Sequence, residues 1–175
     1  MNPMMFPKML TSHGEGWDWL MRIHPSVAKT YLFYVLPMSL IPPAMLLYAW
    51  NTYGGPPLPE ITRNEALFLA TVFLVAELVM VPIMGRVLQM IGQVADSSPS
   101  YQSAFTLAAV VPTPLWLVPL ALFVPSLIFN ILMMLTALAC SAALIFQGVD
   151  RTYDLRDEGH SLLLAGSVFA AGLVH

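Results

Sequence analysis

Glu77 is the residue that most invites a chemical reading. It lies inside an apolar run from Ala66 to about Met84, with no partner at helical spacing, since Phe73, Leu74, Met80 and Val81 are all apolar. A charge at the bilayer centre costs about 2.5–3.5 kcal/mol on insertion scales, so an acid at that depth needs a reason. One reason is functional: a relay for protons or cations. The other is structural: a protonated carboxyl bonded to a freed carbonyl or a polar group on another helix or subunit. Transport sites gather several intramembrane ionisable groups, and this chain shows one, so the structural role is the expectation.

The prolines are the second candidate set. A proline inside a helix removes the N–H that would serve the carbonyl four residues earlier. Pro112 would free the carbonyl of Ala108, and Pro114 that of Val110. Transporters use such carbonyls to bind ions, but they also arise wherever bent helices pack, and packing is expected here. Asn130 and Gln147 stand near opposite ends of a run from Leu127 to Phe146, where polar side chains commonly bond between helices. His13, His24, His160 and His175 are scattered, with no HxxxH spacing and no cysteine partner, so no metal or haem site is expected. Paired thioethers, a Ser/His/Asp order, a phosphate-binding loop and paired surface carboxylates are also missing. The sequence predicts neither an enzyme nor a cofactor.

The elements that must position these residues are apolar helices. Residues are 58% hydrophobic and 10% charged, a balance that a water-soluble domain could not keep dispersed. The net charge of −3, without a basic cluster, excludes a nucleic-acid partner. A hydrocarbon core about 30 Å thick takes roughly 20 apolar residues of helix. Four runs meet that length: Tyr31 to Trp50, Ala66 to about Met84, Tyr101 to Val124, and Leu127 to Phe146. A fifth, Ser161 to Val174, covers only about two-thirds of the core at 1.5 Å per residue. Either the chain is cut within a fifth span, which is the favoured expectation, or its last helix stops partway. The predicted fold is an all-α polytopic membrane bundle of five spans, the last incomplete, with an N-terminal interfacial helix.

Local signals refine this picture. Pro37 and the pair Pro42-Pro43 make an unbroken first helix implausible. Beyond Gly85, Arg86, Gln89 and Gln93 take one face and Val87, Leu88, Ile91 and Val94 the other, predicting an amphipathic helix at the membrane surface that continues or bends from the second span. Ser98-Pro99 reads as an N-cap with proline at the first helical position. Pro125 and Ser126 predict a tight turn, and Gln147 to His160 a polar connection. Before the first span, Trp17, Leu20, Met21 and His24 share a face, and Trp17 with Trp19 would anchor that segment in the headgroup layer.

This order of elements resembles the Yip family of Ypt-interacting membrane proteins, in its short bacterial branch. Three stretches carry the likeness. The segment Trp17 to Pro25 leads into a proline-containing first span and a Gly54-Gly55 loop. Ser103 to Ala109 precedes Pro112-Thr113-Pro114-Leu115-Trp116, a polar helix start followed by a mid-span proline and a tryptophan. The fourth run leaves through Phe146-Gln147-Gly148-Val149. The pattern departs at Val110 and Val111, where the family carries an aromatic residue. The resemblance implies a bacterial cytoplasmic (inner) membrane protein, with residues 1–30 a cytoplasmic segment and 31–175 a Yip-like transmembrane domain. The long soluble N-terminal region of eukaryotic members is expected to be missing, so small-GTPase binding is not implied.

The expected function is therefore that of a non-catalytic membrane protein, in contact with the lipid bilayer, that accompanies, assembles or organises another membrane protein or complex. The alternative is a small proton- or cation-conducting transporter or channel organised around Glu77. Lys8, Arg22, Lys29, Arg86, Arg151 and Arg156 fall on one side of the predicted topology and Arg63 alone on the other, which places the N-terminus in the cytoplasm. Topology reporters fused after Gly55 should accordingly behave as periplasmic, and after Asp96 as cytoplasmic; the opposite pattern would invert the orientation.

Overall fold

A computed structural model of the chain describes residues 26–53, 61–94, 99–153 and 166. Among these, four helices are long and apolar enough to cross a membrane: Val27–Tyr53, Arg63–Gln93, Tyr101–Phe123 and Leu127–Val149. The expected all-α membrane bundle is thus present for four spans. The interfacial segment with Trp17 and Trp19, and the fifth run apart from Gly166, lie outside the described residues.

Prolines decide where the helices are irregular. In the first span, a π-helical stretch at Tyr31–Val35 closes with the Leu36 N–H on the carbonyl of Tyr31. Pro37 follows directly, and the wider turn absorbs the ladder bond that proline cannot make. The helix then breaks at Leu40 and restarts as Ile41–Tyr53, with Pro42 and Pro43 in its first turn, where backbone donors are not needed. The third span repeats the device. Tyr101–Val110 ends at a turn, Thr113–Leu117 restarts behind Pro112 with Pro114 in its first turn, and a 3-10 segment Val118–Phe123 restarts at Pro119.

The second helix, Arg63–Val94, is continuous despite Pro82. It opens on a capping box: the Thr62 N–H donates to Glu65 Oε2 at 2.8 Å, and the Glu65 N–H donates to Thr62 Oγ1 at 3.4 Å. Its 32 residues extend about 48 Å at 1.5 Å each, well beyond the hydrocarbon core. The residues from Arg86 to Val94 therefore prolong the second span instead of bending onto the membrane surface. Part of their apolar face is taken by protein, since Leu88 is buried in the core and Ile91 packs against it.

Two further boundaries differ from expectation. The cap of the third span is Ser100, whose side chain accepts from the Ser103 N–H at 3.1 Å. Pro99 thus precedes the cap and does not occupy the first helical position. The fourth helix continues to Tyr153, past Gln147 and Gly148. One glycine is tolerated inside a helix, and Gly148 and Val149 are buried, so packing carries the helix through the predicted connection. The turn at Pro125 and Ser126 forms as read: Ser126 Oγ accepts from the Phe129 N–H, and Asn130 Nδ2 donates to the carbonyls of Val124 and Ser126.

The third span is the hub. It packs against each of the other three, whereas the second span meets the first and third, and the fourth rests chiefly on the third. Residues Ala104 to Val110 are all buried and form the core with Tyr34, Val35, Val81, Leu88, Trp116, Leu144, Ile145 and Val149. The outer faces of the second and fourth spans carry exposed apolar side chains such as Phe68 and Leu127, as lipid contact requires. The second and third spans come closest at Gly85, where a Cβ would stand 3.1 Å from the Cα of Phe105.

That contact makes Gly85 a test of the interface. Alanine gains helix propensity of about 1 kcal/mol, which should offset the few tenths of an ångström that Phe105 must yield. Leucine should overpack the contact by about 1–3 kcal/mol. Unfolding in mixed micelles should show Gly85→Ala near wild type and Gly85→Leu clearly weaker. A wild-type midpoint for Gly85→Leu would mean that this close approach is not needed.

Candidate functional site

Three irregular stretches meet inside the bundle: the π-helical turn of the first span, the region before Pro82 in the second, and the Pro112–Pro114 break in the third. Pro82 lacks the N–H that would serve the carbonyl of Leu78. Tyr31 Oη donates to that carbonyl at 3.0 Å. Pro114 likewise leaves the carbonyl of Val110 open, and Thr113 Oγ1 donates to it at 2.6 Å. With its proton so used, Thr113 accepts from Tyr34 Oη, also at 2.6 Å. Tyr31 and Tyr34 both belong to the π-helical turn. That one turn therefore supplies a hydroxyl to each of the proline-disrupted stretches it faces.

Glu77 sits beside this network. It falls in the stripe of the second helix formed by Ala66, Ala70, Leu74, Val81, Gly85 and Leu88, the side turned towards protein. Trp116 of the third span approaches its carboxyl. The second carboxyl oxygen, Oε2, is buried and has no hydrogen-bond partner among the described residues.

Of the remaining candidates, Pro112 starts the helical piece that carries Trp116, and its carbonyl accepts from the Trp116 N–H at 3.0 Å. Pro112 and Pro114 thereby belong to the start of the helical piece that carries Trp116 towards Glu77. Asn130 is not part of this group; it stabilises the turn at the far end of the fourth span. Trp17 and Trp19 lie outside the described residues. Thr30 Oγ1, Ser141 Oγ and Gln147 Oε1 are further buried atoms without a partner among the described residues. No group of three histidine, cysteine, aspartate or glutamate side chains among those residues could hold a metal ion.

The end of the bundle opposite Arg86 is tied by other aromatic side chains. Trp50 Nε1 donates to the carbonyl of Ile61 at 2.9 Å, Tyr53 Oη to that of Leu122 at 3.0 Å, and the Tyr48 and Phe123 rings lie 4.9 Å apart. Sequence reasoning passed over Tyr31, Tyr34, Thr113 and Tyr53 as sites. The available signal was a pair of tyrosines at a three-residue spacing in an apolar run, together with a threonine between two prolines.

Four spanning helices with a polar network closed between them define a polytopic helical membrane protein. A family model described as the Yip1 domain matches residues 8–175, and the chain belongs to that family. No curated protein and no solved structure matches it.

The network makes a graded prediction. Hydrogen bonds between membrane helices are worth about 0.6–2 kcal/mol. Tyr34→Phe and Thr113→Val should each lower unfolding stability by about that amount, whereas Thr113→Ser should stay close to wild type. Because the two side chains share one bond, the double variant Tyr34→Phe/Thr113→Val should lose less than the sum of the single losses. Simple additivity would show that the bond contributes nothing.

Proposed function

We propose that this member of the Yip1 domain family is a non-catalytic accessory protein of the bacterial cytoplasmic membrane, one that assembles or organises another membrane protein or complex. In this reading its N-terminus is cytoplasmic, residues 1–30 form a cytoplasmic segment, and 31–175 form the transmembrane domain. The observation that carries it is the use of the intramembrane polar groups. Tyr31 and Thr113 close the chain's own proline-freed carbonyls and Tyr34 bonds the Thr113 hydroxyl, which supports a role in holding shape over one in binding a transported ion. The apolar outer faces of the second and fourth spans supply lipid-depth surface on which another membrane protein can pack.

One observation favours a second reading. Glu77 Oε2 is buried without a hydrogen-bond partner among the described residues, and an intramembrane acid is the kind of group a proton or cation pathway uses. The two readings separate at this residue. Under the accessory reading, Glu77→Gln keeps size and hydrogen-bonding capacity and should preserve folding and co-purification with partner chains. Glu77→Leu should cost about 0.6–2 kcal/mol, partly offset by easier insertion. Liposomes containing the purified protein should pass neither protons nor cations above the empty-vesicle rate. Flux that Glu77→Gln abolishes, in protein that remains folded, would replace the accessory reading with the conducting one.

A further inference from the structure

We infer that Arg86 and Tyr101 form a binding site for the phosphate of an anionic phospholipid. Depth is the first argument. Arg63 and Arg86 lie on one continuous helix and are separated by roughly 34 Å along its axis at 1.5 Å per residue. That distance is a hydrocarbon core plus a few ångströms, so each arginine stands in a headgroup layer. Aromatic side chains mark the Arg63 end independently, since Trp50 bonds the carbonyl of Ile61 just ahead of the helix.

The second argument is preorganisation. The guanidinium carbon of Arg86 lies 4.2 Å from the centroid of the Tyr101 ring. Its Nη1 donates to Gln89 Oε1 at 3.2 Å. The ring is held from its other end and edge: Tyr101 Oη reaches the carbonyl of Pro82 at 3.5 Å, and Phe105 lies 5.9 Å away centroid to centroid. A guanidinium stacked in this way has surrendered much of its side-chain freedom before any ligand arrives, and its other N–H donors still form a planar fork.

Charge is the third argument. Arg86 is exposed, and neither acid whose side chain is described can neutralise it. Glu65 is bonded to Thr62 at the opposite end of the helix, and Glu77 is inside the span beside Trp116. A fixed cation in the headgroup layer, without a carboxylate among the described side chains, complements a phosphodiester, which a guanidinium fork bonds at two oxygens. Zwitterionic lipids offer the same phosphate with a competing cation attached, so the site should prefer anionic headgroups.

Native mass spectrometry of the full chain in mild detergent tests this, with phosphatidylglycerol and phosphatidylcholine of identical acyl chains titrated separately. Phosphatidylglycerol should bind about fivefold more tightly, the effect expected of one basic residue at the membrane surface. Arg86→Gln should abolish the preference, and Arg86→Lys should retain only part of it. Tyr101→Phe keeps the ring and should bind as wild type; Tyr101→Leu should weaken binding. Phosphatidylglycerol bound equally by wild type and Arg86→Gln would overturn the site, as would the absence of any lipid preference. Displacement of the lipid by an equal concentration of inorganic phosphate would overturn it too, by making the ligand a free anion. If Arg86→Gln fails to fold, the tyrosine pair decides, and equal occupancy in Tyr101→Phe and Tyr101→Leu refutes the inference.

Discussion

In hydrocarbon a backbone carbonyl without a donor has no water to fall back on, and this chain places prolines in three of its four described spans. The structure meets that constraint in two ways. Pro42, Pro43, Pro114 and Pro119 stand in the first turns of new helical pieces, where an N–H is not required. Where a helix instead runs through its proline, as at Pro82, a hydroxyl from a neighbouring span supplies the missing donor. The second solution sets helix against helix. Tyr31 and Tyr34 fix the first span against the other two at the points where those have lost a ladder bond, so backbone chemistry specifies the tertiary contacts.

Small residues make the rest of the packing possible. Water does not drive helices together inside a bilayer, so close van der Waals approach must do so. Ala104, Ala108 and Ala109 are buried on the third span, and Gly85 lets the second span reach the backbone of Phe105. The hub position of the third span follows. It is irregular along its length, yet its Thr113 hydroxyl closes the Val110 carbonyl and is met by Tyr34 of the first span, and its alanines admit neighbours elsewhere. The second and fourth spans, by contrast, are continuous helices largely turned to lipid.

Much of this was legible in the residues. Apolar runs located the four spans, and the prolines marked the breaks in the first and third. Helix boundaries were read less well for local reasons. Ser98-Pro99 imitates a cap, but Ser100 has the extended backbone and the bond to Ser103 that make one. Gln147 and Gly148 look like an exit, yet buried neighbours keep them helical. Amphipathicity after Arg86 is real, but part of its apolar side packs into the protein core and not against lipid. Glu77 stood out as an isolated acid, whereas its neighbour Trp116 could not be assigned to it, because that approach depends on the rotation of two helices about their axes. Tyrosines in apolar runs resemble interfacial markers until the carbonyls they serve are located.

The contacts also follow the order in which a ribosome releases the chain. The first two spans pair with each other, the third packs on both, and the fourth leans chiefly on the third. Each later span therefore meets a partner already made, although the Tyr34 hydroxyl awaits Thr113, 79 residues further on. When the broken third helix enters, the tyrosine whose hydroxyl meets its threonine is already in place, so its most exposed polar stretch need never face lipid alone. The broken helix is thus delivered to a surface that already carries the hydroxyl its threonine meets.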